Sequence, residues 1–200
     1  FQDCAGLQTV VLPQSVTSIG ASAFQGCTGL TSVIVPEGVT QIEAYTFAGC
    51  VALASVALPD GITDVSYNAF EGCPEGLKFY CKLSGTTAGA LGEQGYEFRD
   101  PGHPGYVFIG DPSEQGAVEL VAYEGEGGDL VIPTGVARIG SSAFAYCSDL
   151  TSIELPEGIT SIGHSAFEGC RRLTSIILPE GLTSIGSSAF YECFGLTSIT

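Results

Sequence analysis

Residues 150–172 read LTSIELPEGITSIGHSAFEGCRR, and residues 173–195 read LTSIILPEGLTSIGSSAFYECFG. The two stretches align without a gap at a period of 23 residues. The pattern recurs further out: residues 7–29 are LQTVVLPQSVTSIGASAFQGCTG and residues 30–52 are LTSVIVPEGVTQIEAYTFAGCVA. With the leading Leu as position 1, position 18 is Phe1, Phe24, Phe47, Phe70, Phe144, Phe167 and Phe190. Position 21 is Cys4, Cys27, Cys50, Cys73, Cys147, Cys170 and Cys193, and position 7 is Pro13, Pro36, Pro59, Pro133, Pro156 and Pro179. Three columns in one register identify an internal repeat, and a repeat of this length is one layer of a solenoid. The phase is reset once, in the middle of the chain.

One layer can be read from residues 150–172. Leu150, Ile153 and Leu155 make an L-x-x-I-x-L strand with these side chains inward. Pro156 has no N–H to give to a ladder and ends the strand. Glu157-Gly158 makes a turn, Ile159 and Ile162 supply a second inward pair, and Gly163 permits a bend. Ala166-Phe167 is expected on a short helical turn packed back into the core, and Gly169 releases the chain toward the next strand at Leu173. A single layer cannot bury its own apolar face, so neighbours must stack. Stacked strands lie about 4.8 Å apart, and each column becomes a ladder of near-identical side chains.

The 200 residues include 22 acidic and 6 basic side chains, for a net charge of −16. Such a surface repels phosphate backbones and anionic membranes, which argues against nucleic acid as a partner. No run approaches the length of a membrane-spanning helix, so no membrane insertion is expected in this stretch. Only 14% of residues are charged and 44% are hydrophobic, which separates the chain from disordered acidic tails. It contains no Met, so it is expected to be a piece of a longer protein.

The repeat covers residues 1–83 and 130–200. Between them, a strand is expected to begin at Leu77, one residue later than the period predicts. Ser84 or Thr86 is a candidate N-cap for a short helix ending at Gly95, and Tyr96-Glu97-Phe98 reads as a last strand. Arg99 to Gly105, RDPGHPG, reads as a linker. Residues 106–123 form two β-rich runs around 111–116, a hairpin pattern. The expected organisation is a first array with its C-terminal cap at 1–98, a linker at 99–105, and a second unit at 106–200 that opens with an N-capping hairpin at 106–129. The alternative is one continuous solenoid with a bulky insertion.

The consensus LTSIxLPEGITSIGxxAFxGC closely resembles the BspA-type leucine-rich repeat, of the Treponema-type class with a 23-residue period. L-P-E-G, S-I-G and A-F-x-G-C carry the resemblance. It implies a leucine-rich-repeat solenoid, β-rich, with a short strand and a short helical turn per repeat, in two arrays with a capping hairpin between them. It also implies an adhesion module of a secreted or cell-surface bacterial protein. The partner would be a protein, either host matrix or another cell-surface protein, with no cofactor, no metal and no catalytic residue. The alternative is a structural spacer within a larger surface protein whose binding is done elsewhere.

Positions 3 and 5 of the strand should point outward. Position 3 carries Thr9, Ser32, Ser55 and Phe79, then Asp129, Ser152, Ser175 and Ser198. Position 5 carries Val11, Ile34, Ala57 and Cys81, then Val131, Glu154, Ile177 and Thr200. Val11, Ser32, Ile34, Ser55, Phe79, Ser152, Glu154, Ser175 and Ile177 form the candidate binding face, which is small, nearly uncharged and partly apolar. The competing reading is a Ser/Thr/Ile ladder that only packs the sheet well. Seven cysteines share one repeat position, where parallel Cβ vectors disfavour pairing, so buried free thiols are expected. Cys81, placed on the solvent side, is the candidate reactive thiol. The only histidines are His103 and His164, and no Ser stands apart from its repeats, so catalysis has little support. Asp111, Glu114, Glu119, Glu124, Glu126 and Asp129 cluster in sequence but match no calcium-loop spacing. Much of the remaining acid sits in turns, at Glu37, Asp60, Glu157 and Glu180.

Overall fold

Neighbouring layers are bonded through the backbone of their outer strands, and most of them also through a second short strand and a run of turns. The computed structural model describes residues 1–83, 85–110 and 117–200. The chain divides into two units, Phe1–Gly102 and His103–Thr200.

In the first unit the outer strands are β1 (Ser32–Ile34), β3 (Ser55–Ala57), β5 (Lys78–Tyr80) and β6 (Glu97–Arg99), paired in that order and parallel. Thr9 bridges to Ser32 ahead of them. The second strands, β2 (Gln41–Ile42) and β4 (Asp64–Val65), pair in parallel. Helix α1 (Thr86–Glu93) packs on β4. Gly85 stands at its N-cap with no side-chain bond. Thr86 therefore does not cap; its hydroxyl donates to the Asp60 and Ile62 carbonyls at 3.0 and 2.9 Å. Ser84 lies outside the described residues. Gly95 ends the helix at φ 75°, a conformation that a residue without Cβ adopts without strain.

The second unit contains β7 (Tyr106–Gly110), β8 (Val118–Tyr123), β9 (Gly128–Val131), β10 (Val136–Ile139), β11 (Leu150–Glu154), β12 (Ser161–Ile162), β13 (Ser175–Ile177), β14 (Ser184–Ile185) and β15 (Ser198–Ile199). The outer ladder runs β9-β11-β13-β15, and the second ladder runs β8-β10-β12-β14. β7 and β8 are antiparallel, with Tyr106 opposite Tyr123. Their connection, including Asp111 and Glu114, lies outside the described residues.

The Phe column forms two files through the interior. Rings 1, 24, 47 and 70 stack at 5.3, 5.4 and 5.5 Å, nearly parallel. Phe144, Phe167 and Phe190 stack at 5.2 and 5.4 Å. These are offset-stacked spacings, which aromatic pairs favour. Each file meets differently oriented rings where its repeat stops. Phe79 and Tyr96 approach Phe70 edge-on, and Tyr123 and Tyr106 lie against Phe144. The Leu and Ile side chains read as inward in residues 150–172 are buried: Leu150, Ile153, Leu155, Ile159 and Ile162.

Two local expectations are corrected. The Ala166-Phe167 segment is not helical; it is a run of turns with Ser165 at φ 51° and Gly169 at φ 71°. Left-handed residues this close together stop a helix from propagating. The backbone also has other partners here. The Phe144 N–H donates to the Ala166 carbonyl and the Phe167 N–H to the Ala189 carbonyl, in the following layer. The second correction concerns β5. Lys78 pairs with Ser55 and Phe79 with Val56, so the period of 23 continues unbroken and Leu77 is not a leading Leu. Phe79 and Cys81 consequently fall on inward positions and are buried, at 2% and 3% exposure. Lys78 and Tyr80 occupy the outward places.

Candidate functional site

The outer ladder alternates cleanly. Position 4 is buried in the inner layers, as Val33, Val56, Ile153 and Ile176. Positions 3 and 5 turn away from the core, as the pleat requires. In the first unit Val11 is 92% exposed and Ile34 69%; Ser32 is exposed and Ser55 half-buried. Ile34 stands opposite Ala57, and Ser32 opposite Ser55. Val11, Ser32, Ile34 and Ser55 thus share one face, while Phe79 does not belong to it.

In the second unit Ser152, Glu154, Ser175 and Ile177 line one open hollow of about 490 Å³, together with Asp129, Val131 and Glu157. The four predicted residues are therefore brought together. Asp129 and Val131 complete the row one layer earlier, where counting back 23 from Ser152 and Glu154 places them. Asp129 accepts hydrogen bonds from the Ser152 and Thr151 hydroxyls, both at 2.7 Å, and these hold its carboxyl below the usual carboxylate range.

The thiols are less available than Cys81 alone had suggested. Burial pushes the Cys81 thiol up to about 12, with Asp100 and Asp60 adding to the shift, so it is not the reactive group expected. Burial likewise raises Cys50 and Cys170 to about 12. Every described cysteine is unpaired with another, and Cys4 is exposed. The column also has a bonding role that the sequence did not reveal. Cys50 Sγ donates to the Phe24 carbonyl at 3.2 Å, Cys73 Sγ to Phe47 at 3.2 Å and Cys170 Sγ to Phe144 at 3.1 Å.

His164 lies between two hydroxyls, with Nδ1 2.8 Å from Ser187 Oγ and Nε2 3.2 Å from Ser165 Oγ. Among the described acids that cluster in sequence between 111 and 129, Glu119 lies 3.6 Å from Arg138, and Asp129 is engaged by its two hydroxyls. No group of three His, Cys, Asp or Glu among the described residues is gathered as a metal site. No helix among them is long and apolar enough to cross a membrane.

The family model of the BspA type leucine rich repeat region matches in six copies, over residues 1–89 and 126–200. The chain belongs to that family. Among solved structures, this BspA-type chain is similar to a leucine rich cell surface protein from Faecalibacterium prausnitzii A2-165, at 28% identity over 88% of this chain and 55% of that one, with a TM-score of 0.38. It is similar to a T. pallidum leucine rich repeat protein, at 28% identity over 94% and 78% of the two chains, with a TM-score of 0.35. It is also similar to the pneumococcal vaccine antigen PcpA, at 16% identity over 85% and 50%, with a TM-score of 0.40. The chain thus spans about half the length of the first and last of these. No curated protein matches it in sequence.

Proposed function

We propose that this chain is a non-enzymatic adhesion module of a secreted or cell-surface bacterial protein. It engages a protein, either host matrix or another cell-surface protein, through the outward face of its outer ladders. The observation that carries the reading is the large aliphatic side chains with no core to fill on the outer ladder of each unit: Val11 and Ile34 in the first, Val131 and Ile177 in the second, each more than 60% exposed. Ile34, Val131 and Ile177 stand on paired strands, so little ordering is lost when a partner covers them. Membership of the BspA-type family supports the same role. In this reading α1 with Phe79 and Tyr96 caps the first array at 1–98, residues 99–105 link the units, and the β7–β8 hairpin caps the second.

The test is a surface-binding panel of matrix and mucin components against the full chain and its Ile34→Asp and Ile177→Asp variants. Capture of one component, weakened about tenfold or more by either substitution (about 1.4 kcal/mol), is expected. A clean panel, or capture indifferent to both substitutions, overturns the reading and leaves the spacer role.

A further inference from the structure

The outer faces of the two units differ in charge. Across β9, β11 and β13 the position-5 residues are Val131, Glu154 and Ile177, with Glu154 in register with both neighbours. Rungs about 4.8 Å apart place the Glu154 carboxylate between two aliphatic side chains that are 62% and 71% exposed. Asp129 and Glu157 edge the same hollow, and no Lys or Arg lines it. Neither Glu154 nor Glu157 forms an ion pair among the described residues. The corresponding residues of the first unit, Thr9, Val11, Ser32, Ile34, Ser55 and Ala57, include no acid.

We propose that the hollow over β9, β11 and β13 docks a basic-aliphatic segment of a partner protein, with an arginine on Glu154 and aliphatic neighbours against Val131 and Ile177. This rests on the reading of the outward ladder as a binding face and names the chemistry of what it takes. Arginine suits the site better than lysine. Its guanidinium is weakly hydrated and meets a carboxylate through two parallel bonds, and its stem lies along apolar surface. An exposed ion pair alone contributes little. The apolar contact supplies the affinity and the charge selects the partner, so removing either weakens the complex.

The probe is a short fluorescein-labelled peptide of alternating arginine and leucine, titrated with the full chain and followed by anisotropy. Its glutamate-leucine counterpart is the control. Binding is expected for the arginine peptide only. It should weaken about tenfold or more between about 0.1 M and about 1 M salt, as the Debye length falls from about 10 to about 3 Å. Glu154→Gln and Ile177→Ser should each weaken it about fivefold, roughly 1 kcal/mol. Glu37→Gln, which removes the same charge from the other unit, should leave it unchanged. Equal loss in Glu37→Gln and Glu154→Gln would reduce the effect to diffuse attraction by the net charge and overturn the proposal. So would indifference to Glu154→Gln or Ile177→Ser. The two readings separate on the matrix panel. Capture lost in Ile177→Asp but insensitive to Glu154→Gln and salt keeps the binding face and removes its basic ligand; capture indifferent to all of these removes both.

Discussion

At the scale of single residues, the cysteine column links layers without disulfides. A buried S–H donates to the carbonyl of the stacked Phe one layer back, so each thiol fills the ladder and occupies a polar group. Burial raises Cys50, Cys81 and Cys170 from an ordinary 9.0 to about 12. Between those values the native state holds protons that the unfolded chain has released. The thiols' contribution to stability should therefore be flat between neutral pH and about pH 9 and fall as pH rises above it. Urea denaturation at neutral pH and in steps above pH 9 checks this; a stability that rose over that range would contradict it. In the native protein a thiol reagent should label exposed Cys4 first, and reach Cys27, Cys50, Cys81 and Cys170 only on unfolding.

At the scale of elements, two glycine columns serve different ends. Gly49 sits at φ 70°, and a Cβ there would meet Gly26 at an ordinary 3.7 Å. Gly163 was read as a bend, but its role is close approach: a Cβ would lie 2.6 Å from the Ser141 nitrogen and 2.7 Å from the Gly140 carbonyl carbon. Gly49→Ala should cost only the left-handed penalty, about 1–2 kcal/mol. Gly163→Ala forces backbone apart and should cost more, as read by thermal unfolding of both variants. The inward columns were legible in the sequence because burial repeats with the layer. The turn run was not, since alternate N–H groups, such as those of Ser165, Phe167 and Gly169, bond to the next layer instead of closing a helix, and no local pattern records that. The β5 register was misread because Leu77 resembles a leading Leu. Counting 23 from Ser55 gives Lys78, the observed partner, and moves Phe79 and Cys81 inside. Ser152, Glu154, Ser175 and Ile177 were legible as one face because the pleat fixes direction. The acid that Asp129 adds became informative only with its two hydroxyl partners in place.

At the scale of the whole chain, the net charge is −16, yet the outward ladder positions carry few charges: Lys78 on β5 in the first unit, and Asp129 and Glu154 in the second. The bonded layers give a surface that stays put, and the aliphatic side chains on it have no work inside the fold. The most direct measurement is a two-dimensional amide NMR titration of the full chain with the matrix or mucin component that the panel captures. The account predicts shift changes gathered on the outward strands, at Val131, Glu154 and Ile177 or at Val11, Ser32 and Ile34, with the Phe files and the turns at Glu37 and Glu180 undisturbed. Changes gathered instead at the turns around Glu37 and Glu180, with the outer strands silent, would contradict it.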